Sequence, residues 1–297
     1  MWIVLAFVSA FLLGFYDVFK KQSLKGNAVI PVLFFTTLVS SCVFLPLIAL
    51  SAWTSVLDNT LVYVPIVGWE THKFIILKAF IVTASWIFGY FGMKNLPITM
   101  VGTINATRPV LVLLGALLIF GERLNVYQWI GVALAIIAFY MLSLSGKKEG
   151  IDFQRNKWIW CAVTASLLGA VSALYDKSLM AQFDNMVVQA WCNVYIMIIM
   201  LVVMLVMWYP KRHTLTFSWT WTILLISIFL TVADFAYFKA LSDKDSMISI
   251  VSMVRRGNVI ISFLCGVLFF KEKNIKSKVL ALSLVLLGLV FLYIGTC

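Results

Sequence analysis

The sequence predicts an all-α membrane protein with ten transmembrane helices, arranged as two inverted five-helix repeats. Three observations support this fold class: the composition, the length of the apolar segments, and the similarity of the two halves. Of the 297 residues, 63% are hydrophobic and 12% are charged, whereas a soluble domain is about half apolar and about a quarter charged. The composition therefore places the chain in a membrane.

Ten apolar segments reach about the 20 residues that a helix needs to cross the hydrocarbon core of a bilayer. Short connectors with charged and turn-forming residues separate them, as expected between successive membrane spans. The first segment lacks the basic start and cleavage site of a secretory leader, so it is expected to remain in the mature protein. The predicted spans cover residues 2–19, 29–50, 73–93, 98–120, 126–145, 158–179, 186–209, 219–240, 246–270 and 278–296.

The two halves of the chain share two motifs in the same order and at similar offsets. SAFLLGFYDVFKKQSL in the first half resembles ASLLGAVSALYDKSL in the second, and GALLIFGERL resembles CGVLFFKEKN. Two matches in one order support an internal repeat better than either match alone. The paired residues are Tyr16 with Tyr175, Asp17 with Asp176, and Glu122 with Glu272.

These matches predict a first repeat over residues 1–146, a connecting loop over 147–157 and a second repeat over 158–297. Five spans per repeat is an odd number, so the second repeat must cross the membrane upside down relative to the first. Inverted repeats are typical of secondary transporters, whose substrate site lies near the middle of the membrane between the halves.

The segment GERLNVYQWIG, residues 121–131, carries a family resemblance. Together with the apolar residues around it, it resembles the end of a five-helix unit of the EamA type, in the drug/metabolite transporter superfamily. The second half is similar, but it keeps only Glu272 and lacks the Gln-Trp pair. The resemblance covers both halves and implies a ten-helix carrier with alternating access. It leaves the substrate open, since relatives move amino acids, drugs, sugar nucleotides and other metabolites.

The formal net charge is +11, but the basic residues lie in short connectors between apolar segments. This pattern indicates membrane topology rather than nucleic-acid binding. Connectors on one face hold 14 lysines and arginines, against 6 on the other. The positive-inside rule then places both termini outside the cytoplasm, whereas the family resemblance favours termini inside. The expected location is the bacterial inner (plasma) membrane, as a multi-pass integral protein.

Three arginines lie near the middle of predicted spans: Arg108 in the fourth, and Arg255 and Arg256 in the ninth. An arginine at the centre of a membrane helix costs roughly 2.5–3.5 kcal/mol on insertion scales, so these side chains are expected to face the bundle interior or water. Pro109 follows Arg108 and should bend the fourth span. Guanidinium groups bind carboxylate and phosphate through paired hydrogen bonds, which predicts an anion site.

Other polar and aromatic residues share helix faces with these arginines, or lie in matching helices. Asp234 is the clearest acid within a span. Four acids nearer the span ends are expected to act in coupling or gating: Asp17, Asp176, Glu122 and Glu272. For the two glutamates, the alternative is that they cap the short turns that follow them. The predicted substrate-binding residues are Arg108, Arg255, Arg256, Asp234, Asn105, Asn258, Tyr237, Trp86, Tyr90, Tyr16 and Tyr175.

The function these residues predict is secondary transport of a small anionic or zwitterionic metabolite, such as a carboxylate, an amino acid or a phosphorylated compound. In the alternative, the arginines are locked in ion pairs with Asp234, Asp17 or Asp176 and are purely structural. The protein would then export neutral or amphipathic metabolites or drugs.

An enzyme is not expected, because the sequence lacks HExxH, GxSxG and a glycine-rich phosphate loop. None of the five cysteines forms a CxxC pair or has a histidine at metal-ligand spacing, so neither a metal nor another cofactor is expected. The expected partners are the lipid bilayer and a small-molecule substrate. The protein is expected to be a monomer or a homodimer.

Overall fold

The protein is described by a computed structural model, which covers residues 2–58, 60–120, 125–148, 151, 154–180, 182–241, 254–270, 272 and 275–295. The regular structure of these residues is helical. A π-helical turn over Met204–Trp208 and a 3-10 turn over Tyr209–Lys211 extend the eighth helix. The α-helices are α1 (Trp2–Ser23), α2 (Val29–Trp53), α3 (Trp69–Asn95), α4 (Ile98–Ala106), α5 (Arg108–Phe120), α6 (Val126–Lys148), α7 (Lys157–Met180), α8 (Asn185–Val203), α9 (Trp221–Leu241), α10 (Asn258–Leu268) and α11 (Ile275–Ile294).

Seven helical segments among the described residues are long and apolar enough to cross a membrane, and two shorter apolar helices accompany them. The chain is therefore an all-helical, multi-pass integral membrane protein. The total of ten spans stays a prediction, because the predicted ninth span lies partly outside the described residues. The seven segments are Trp2–Ser23, Val29–Trp53, Trp69–Asn95, Val126–Gly146, Lys157–Asp176, Asn185–Lys211 and Ile275–Ile294, and the shorter two are Trp221–Tyr237 and Asn258–Leu268.

The predicted fourth span, 98–120, is two helices rather than one. α4 ends at Ala106, Thr107 forms a turn, and α5 begins at Arg108. Pro109 explains the break, because it has no N–H to donate and its ring clashes with the carbonyl group four residues earlier. The bend that the sequence predicts beside Arg108 is present.

The corresponding segment of the second half is interrupted at a similar place. Val254 and Arg255 are helical, Arg256 and Gly257 form a turn, and α10 begins at Asn258. The Gly257 amide donates to the Val254 carbonyl oxygen at 2.9 Å and closes this turn. Each half of the chain therefore places arginine beside a break in a helix.

Most helix contacts of the first half have a matching contact between the corresponding helices of the second half. α1 packs on α9 and α10 in the second half, and its counterpart α7 packs on α3 and α5 in the first. The counterparts α2 and α8 pack on each other, as do α6 and α11. This correspondence supports the internal repeat, while its predicted boundaries at residues 146 and 158 stay predictions.

Corresponding helices of the two halves run antiparallel where they touch. Asn125, just before α6, donates from Nδ2 to the carbonyl oxygen of Gly295, just after α11, at 2.5 Å. Farther along, a Cβ on Gly131 of α6 would lie 2.8 Å from the carbonyl oxygen of Gly288 of α11. The start of one helix thus meets the end of the other, which is the relation expected of inverted repeats.

Three lysines assigned to connectors from the sequence lie inside the helical bundle instead. Lys20 in α1, Lys78 in α3 and Lys278 in α11 are each at most 8% exposed. The charge comparison counts all three with the connectors. Lys20 follows the predicted span 2–19, but α1 continues to Ser23, whereas Lys78 and Lys278 already lie within the predicted spans 73–93 and 278–296. The excess of cations on one face persists without these three residues.

Candidate functional site

Charged and polar side chains cluster around the two helix breaks, and we call this cluster the polar centre. Its first part lies where the broken fourth span contacts α7. Asn105, in the last turn of α4, accepts a hydrogen bond at Oδ1 from the Ser166 hydroxyl of α7 at 3.0 Å and a longer one, 3.5 Å, from Nη2 of Arg108. Gly169, one turn after Ser166, leaves room for the Arg108 side chain, since a Cβ there would lie 2.5 Å from Cζ. The buried Nε of Arg108 has no hydrogen-bond partner among the described residues.

Arg255 is neutralised by residues of α9. Its Nη2 donates to Oδ1 of Asp234 in an ion pair. Its Cζ lies 4.0 Å from the centre of the Tyr237 ring, which adds a cation–π contact. Asp234 and Tyr237 are three residues apart on one helix face, as the sequence predicts. For Arg255, these contacts agree with the alternative in which an arginine is held in an ion pair and is purely structural.

The side chain of Arg256, by contrast, forms neither a hydrogen bond nor an ion pair with any other residue that the structure describes. It is partly buried in the turn before α10. The charges in electrostatic range include Arg108, Arg255 and Asp17. Guanidinium groups thus outnumber the carboxylate near this turn, and the centre keeps a positive bias.

Asp17 and Lys20 complete this side of the centre from α1. Oδ2 of Asp17 accepts a hydrogen bond from Nδ2 of Asn258 at 3.1 Å, and both Asp17 and Lys20 are 8% exposed. The Lys20 Nζ lies 4.3 Å from the centre of the Tyr90 ring and 5.2 Å from that of Tyr16. The sequence analysis missed Lys20, although it lies one turn after Asp17 on the same face of α1.

A second charged pair lies between α3 and α7 and adjoins the first. The Lys78 Nζ lies 2.7 Å from Oδ1 of Asp176, and Lys78 is also in electrostatic range of Asp234. The Tyr175 hydroxyl donates to the carbonyl oxygen of Phe74 at 3.2 Å. Asp176 and Tyr175 therefore connect α7 to α3 and make no contact with the arginines among the described residues.

The described polar centre holds more cations than carboxylates. Each pairing above leaves Arg108 and Arg256 without a direct carboxylate partner. Trp86, predicted to line the site, is partly buried among core residues, while Tyr90 is fully buried beneath Lys20. The cations are Lys20, Lys78, Arg108, Arg255 and Arg256, and the carboxylates are Asp17, Asp176 and Asp234.

Glu272 caps a helix of the other repeat rather than a turn of its own. Its carboxylate accepts from the amides of Ile98 and Thr99, at 2.6 and 3.3 Å, and from the Thr99 hydroxyl. The Lys278 Nζ lies 3.6 Å from the same carboxylate. Glu272 therefore caps the start of α4 and not the short turn that follows it, while its role in coupling or gating stays a prediction. The matching residue, Glu122, lies outside the described residues.

A separate, largely apolar cavity of about 370 Å³ lies between the end of α2, the connector over 54–68, and α3 and α8. His72 lies at its edge, with Nδ1 3.0 Å from the Tyr195 hydroxyl. The cavity shares no lining residue with the polar centre. It is lined by Leu45, Ile48, Ala49, Ala52, Trp53, Val64, Pro65, Ile66, Val67, His72 and Trp191.

Within the described ranges, no group of three or more histidine, cysteine, aspartate or glutamate residues could hold a metal ion.

Apolar helices enclosing a charged centre define this chain as a multi-pass membrane protein of transporter type. The chain belongs to the EamA-like transporter family, whose model matches residues 1–144 and 156–294. A comparison with curated proteins finds no match. One solved crystal structure superimposes with a TM-score of 0.64 at 14% sequence identity, over 99% of this chain and 97% of the other. At this identity, the similarity supports the fold alone.

Proposed function

We propose that this membrane transporter is a secondary carrier of a small anionic or zwitterionic metabolite, such as a carboxylate, an amino acid or a phosphorylated compound. One observation carries the proposal: Arg108 and Arg256 lie beside the two helix breaks and have no carboxylate partner among the described residues. Ionisable groups within membrane spans are costly and usually functional, and an anion would supply the missing partner.

The local backbone favours the same cargo. α5 begins at Arg108 and α10 begins at Asn258, so two helix N-termini lie at the polar centre. The N-terminal end of a helix carries a partial positive charge, and broken helices of transporters use such ends to hold anionic groups. These N-termini add to the positive charge of the arginines, and the C-terminal end of α4, at Ala106, offsets part of the backbone contribution at the first break.

The proposed mechanism is alternating access by two inverted repeats. The family model matches each half of the chain separately, and the corresponding helices α6 and α11 run antiparallel where they touch. A rocking motion of one repeat against the other would expose the centre to each side in turn. We place the protein in the bacterial inner membrane. A single chain contains both repeats, so a monomer suffices, although a homodimer would work equally.

A binding panel on the purified protein in detergent tests the cargo. We expect at least one of three anions, succinate, L-glutamate and inorganic phosphate, to raise the thermal unfolding midpoint. A ligand that binds only the folded state stabilises that state. Succinamide, the neutral analogue of succinate, should have no effect. A response to neutral amphipathic compounds alone would contradict the proposal. It would favour the alternative exporter, for which the apolar cavity beside α2 is the matching feature.

A substitution at Gly169 tests whether anion binding depends on the position of the Arg108 side chain as well as on its charge. A Cβ at Gly169 must displace the guanidinium, whose Cζ would be 2.5 Å away. We expect Gly169→Ala to weaken anion binding about tenfold, the loss of one hydrogen bond between charged groups. The unfolding midpoint should change little, because only the end of a flexible side chain moves. Affinity is measured by calorimetry on the anion that stabilises most.

Gly89→Ala is the matched control for this substitution. A Cβ there would lie 3.5 Å from Cβ of Ala165, which is an ordinary contact of α3 with α7, the helix that carries Gly169. Unchanged affinity in Gly169→Ala, or an equal loss in both variants, would contradict the role of Arg108.

A further inference from the structure

We propose that Asp17 binds the proton that couples this carrier to a pH gradient, so that each anion is bound and moved together with a proton. The inference rests on the proposed anion site and adds its energy source. It identifies one carboxylate, in α1, as the group that changes protonation when the anion binds.

The first observation is that Asp17 is held differently from the other carboxylates of the described polar centre. Asp234 is paired with Arg255, and Asp176 lies 2.7 Å from Lys78. Asp17 is buried at the contact of α1 with α10, and its described hydrogen-bond partner is the neutral amide of Asn258. A carboxylate fixed by a direct cation contact resists protonation, whereas Asp17 lacks that contact among the described residues.

The second observation is that asparagine suits both protonation states of its partner. As a carboxylate, Asp17 accepts from Nδ2 of Asn258, at 3.1 Å. As a carboxylic acid it would donate a proton, and Oδ1 of a rotated Asn258 amide could accept it. A lysine or arginine in the same place has donors only, so it would satisfy one state and not the other.

The third observation is that Asp17 and an incoming anion would use the same cations. Asp17 is in electrostatic range of Lys20, Arg108 and Arg256, and the last two are the proposed anion ligands. Two negative charges on one set of cations repel each other in a medium of low dielectric constant. Protonation of Asp17 removes that repulsion and frees the cations for the anion.

The other groups around Asp17 do not offer a competing negative charge. On α9, which packs on α1, Asp234 is already paired with Arg255. The titratable and charged groups that surround Asp17 are Tyr16 and Lys20 of α1, Tyr90 of α3, Arg108 of α5, and Arg256 at the turn before α10. Among these groups, Asp17 is the acid whose negative charge faces the cations that an incoming anion would bind.

The experiment is calorimetry of succinate and L-glutamate binding to the full-length protein between about pH 6.5 and pH 8.5. At each pH, two buffers of different ionisation heat give the number of protons taken up. We expect close to one proton per anion bound by the unmodified protein. The affinity should then weaken by up to about tenfold per pH unit, as linkage to one proton requires. Asp17→Asn should bind without proton uptake and with an affinity that is flat across this range.

Glu70→Gln is the matched control, because it makes the same acid-to-amide change at an exposed ion pair with Lys73. It should behave as the unmodified protein. If neither anion binds the unmodified protein, the anion site is wrong and this proposal falls with it. If an anion binds without proton uptake, only the coupling is overturned. A pH dependence that survives in Asp17→Asn assigns the proton to another group, with Lys20 the next candidate, and also overturns it. Should Asp17→Asn fail to fold, the proton count of the unmodified protein decides.

Discussion

Arg256→Gln and Arg108→Gln are each expected to weaken anion binding severely and to abolish uptake while the protein still folds. Each substitution removes a guanidinium that lacks a direct carboxylate partner among the described residues, so no buried acid loses its ion pair. A hydrogen bond to a charged group is worth about 1.5–3 kcal/mol. One arginine that contacts the anion therefore contributes roughly ten- to more than a hundredfold in affinity. In the double variant, the loss of affinity should equal the product of the two single losses.

The measurement is calorimetry with succinate and L-glutamate, followed by uptake of the labelled anions into proteoliposomes. Arg155→Gln is the matched control, because Arg155 is an exposed arginine in the connector before α7. Arg255→Gln is expected to behave differently, since it leaves the partly buried Asp234 without its cation and should lower stability. Unchanged binding in both Arg108→Gln and Arg256→Gln would rule out the anion site.

Glu272→Ala is expected to lower the stability of the folded protein by on the order of 3 kcal/mol. The carboxylate accepts from two amides at the start of α4 and from the Thr99 hydroxyl, and it is 8% exposed. An unsatisfied buried polar group costs about 1–3 kcal/mol, and several groups lose their acceptor together. Thermal unfolding in detergent measures the effect, and hydrogen exchange at the Ile98 and Thr99 amides locates it.

Glu70→Ala serves as the comparison for Glu272→Ala. Glu70 forms an exposed ion pair with Lys73, whose side chains are 80% and 51% exposed. Exposed pairs of this kind contribute about 0–1 kcal/mol. Equal unfolding midpoints for the two alanine variants, with unchanged exchange at the start of α4, would show that Glu272 does not cap that helix.

The sequence predicts well the contacts between residues that are close together along the chain. Asn105 and Arg108 lie three residues apart and do contact each other, and Asp234 and Tyr237 share one face and both meet Arg255. Pro109 predicts the break because its effect on the backbone is local. The apolar runs predict most of the membrane-crossing segments for the same reason.

What depends on two helices could not be predicted in this way. The three-residue spacing of Arg255 and Asn258 suggests a shared face, but the turn at Arg256 separates them, and Asn258 bonds Asp17 in α1 instead. Lys20 occurs in a basic sequence that is typical of a connector. It is buried because α1 continues past its apolar segment and packs beside Tyr90. Helical periodicity predicts which residues share one face of a helix, but it does not predict which other helix contacts that face.

The seam between α6 and α11 has a consequence for any inhibitor of the carrier. Their backbones touch at Gly131 and Gly288, and the two helices exchange places when one repeat is superimposed on the other. If the repeats rock against each other as proposed, a pivot at this seam would keep the two helices together in both the inward-facing and the outward-facing form. A compound that wedges the seam apart should therefore arrest both directions of transport, whereas one bound in the polar centre should trap a single form.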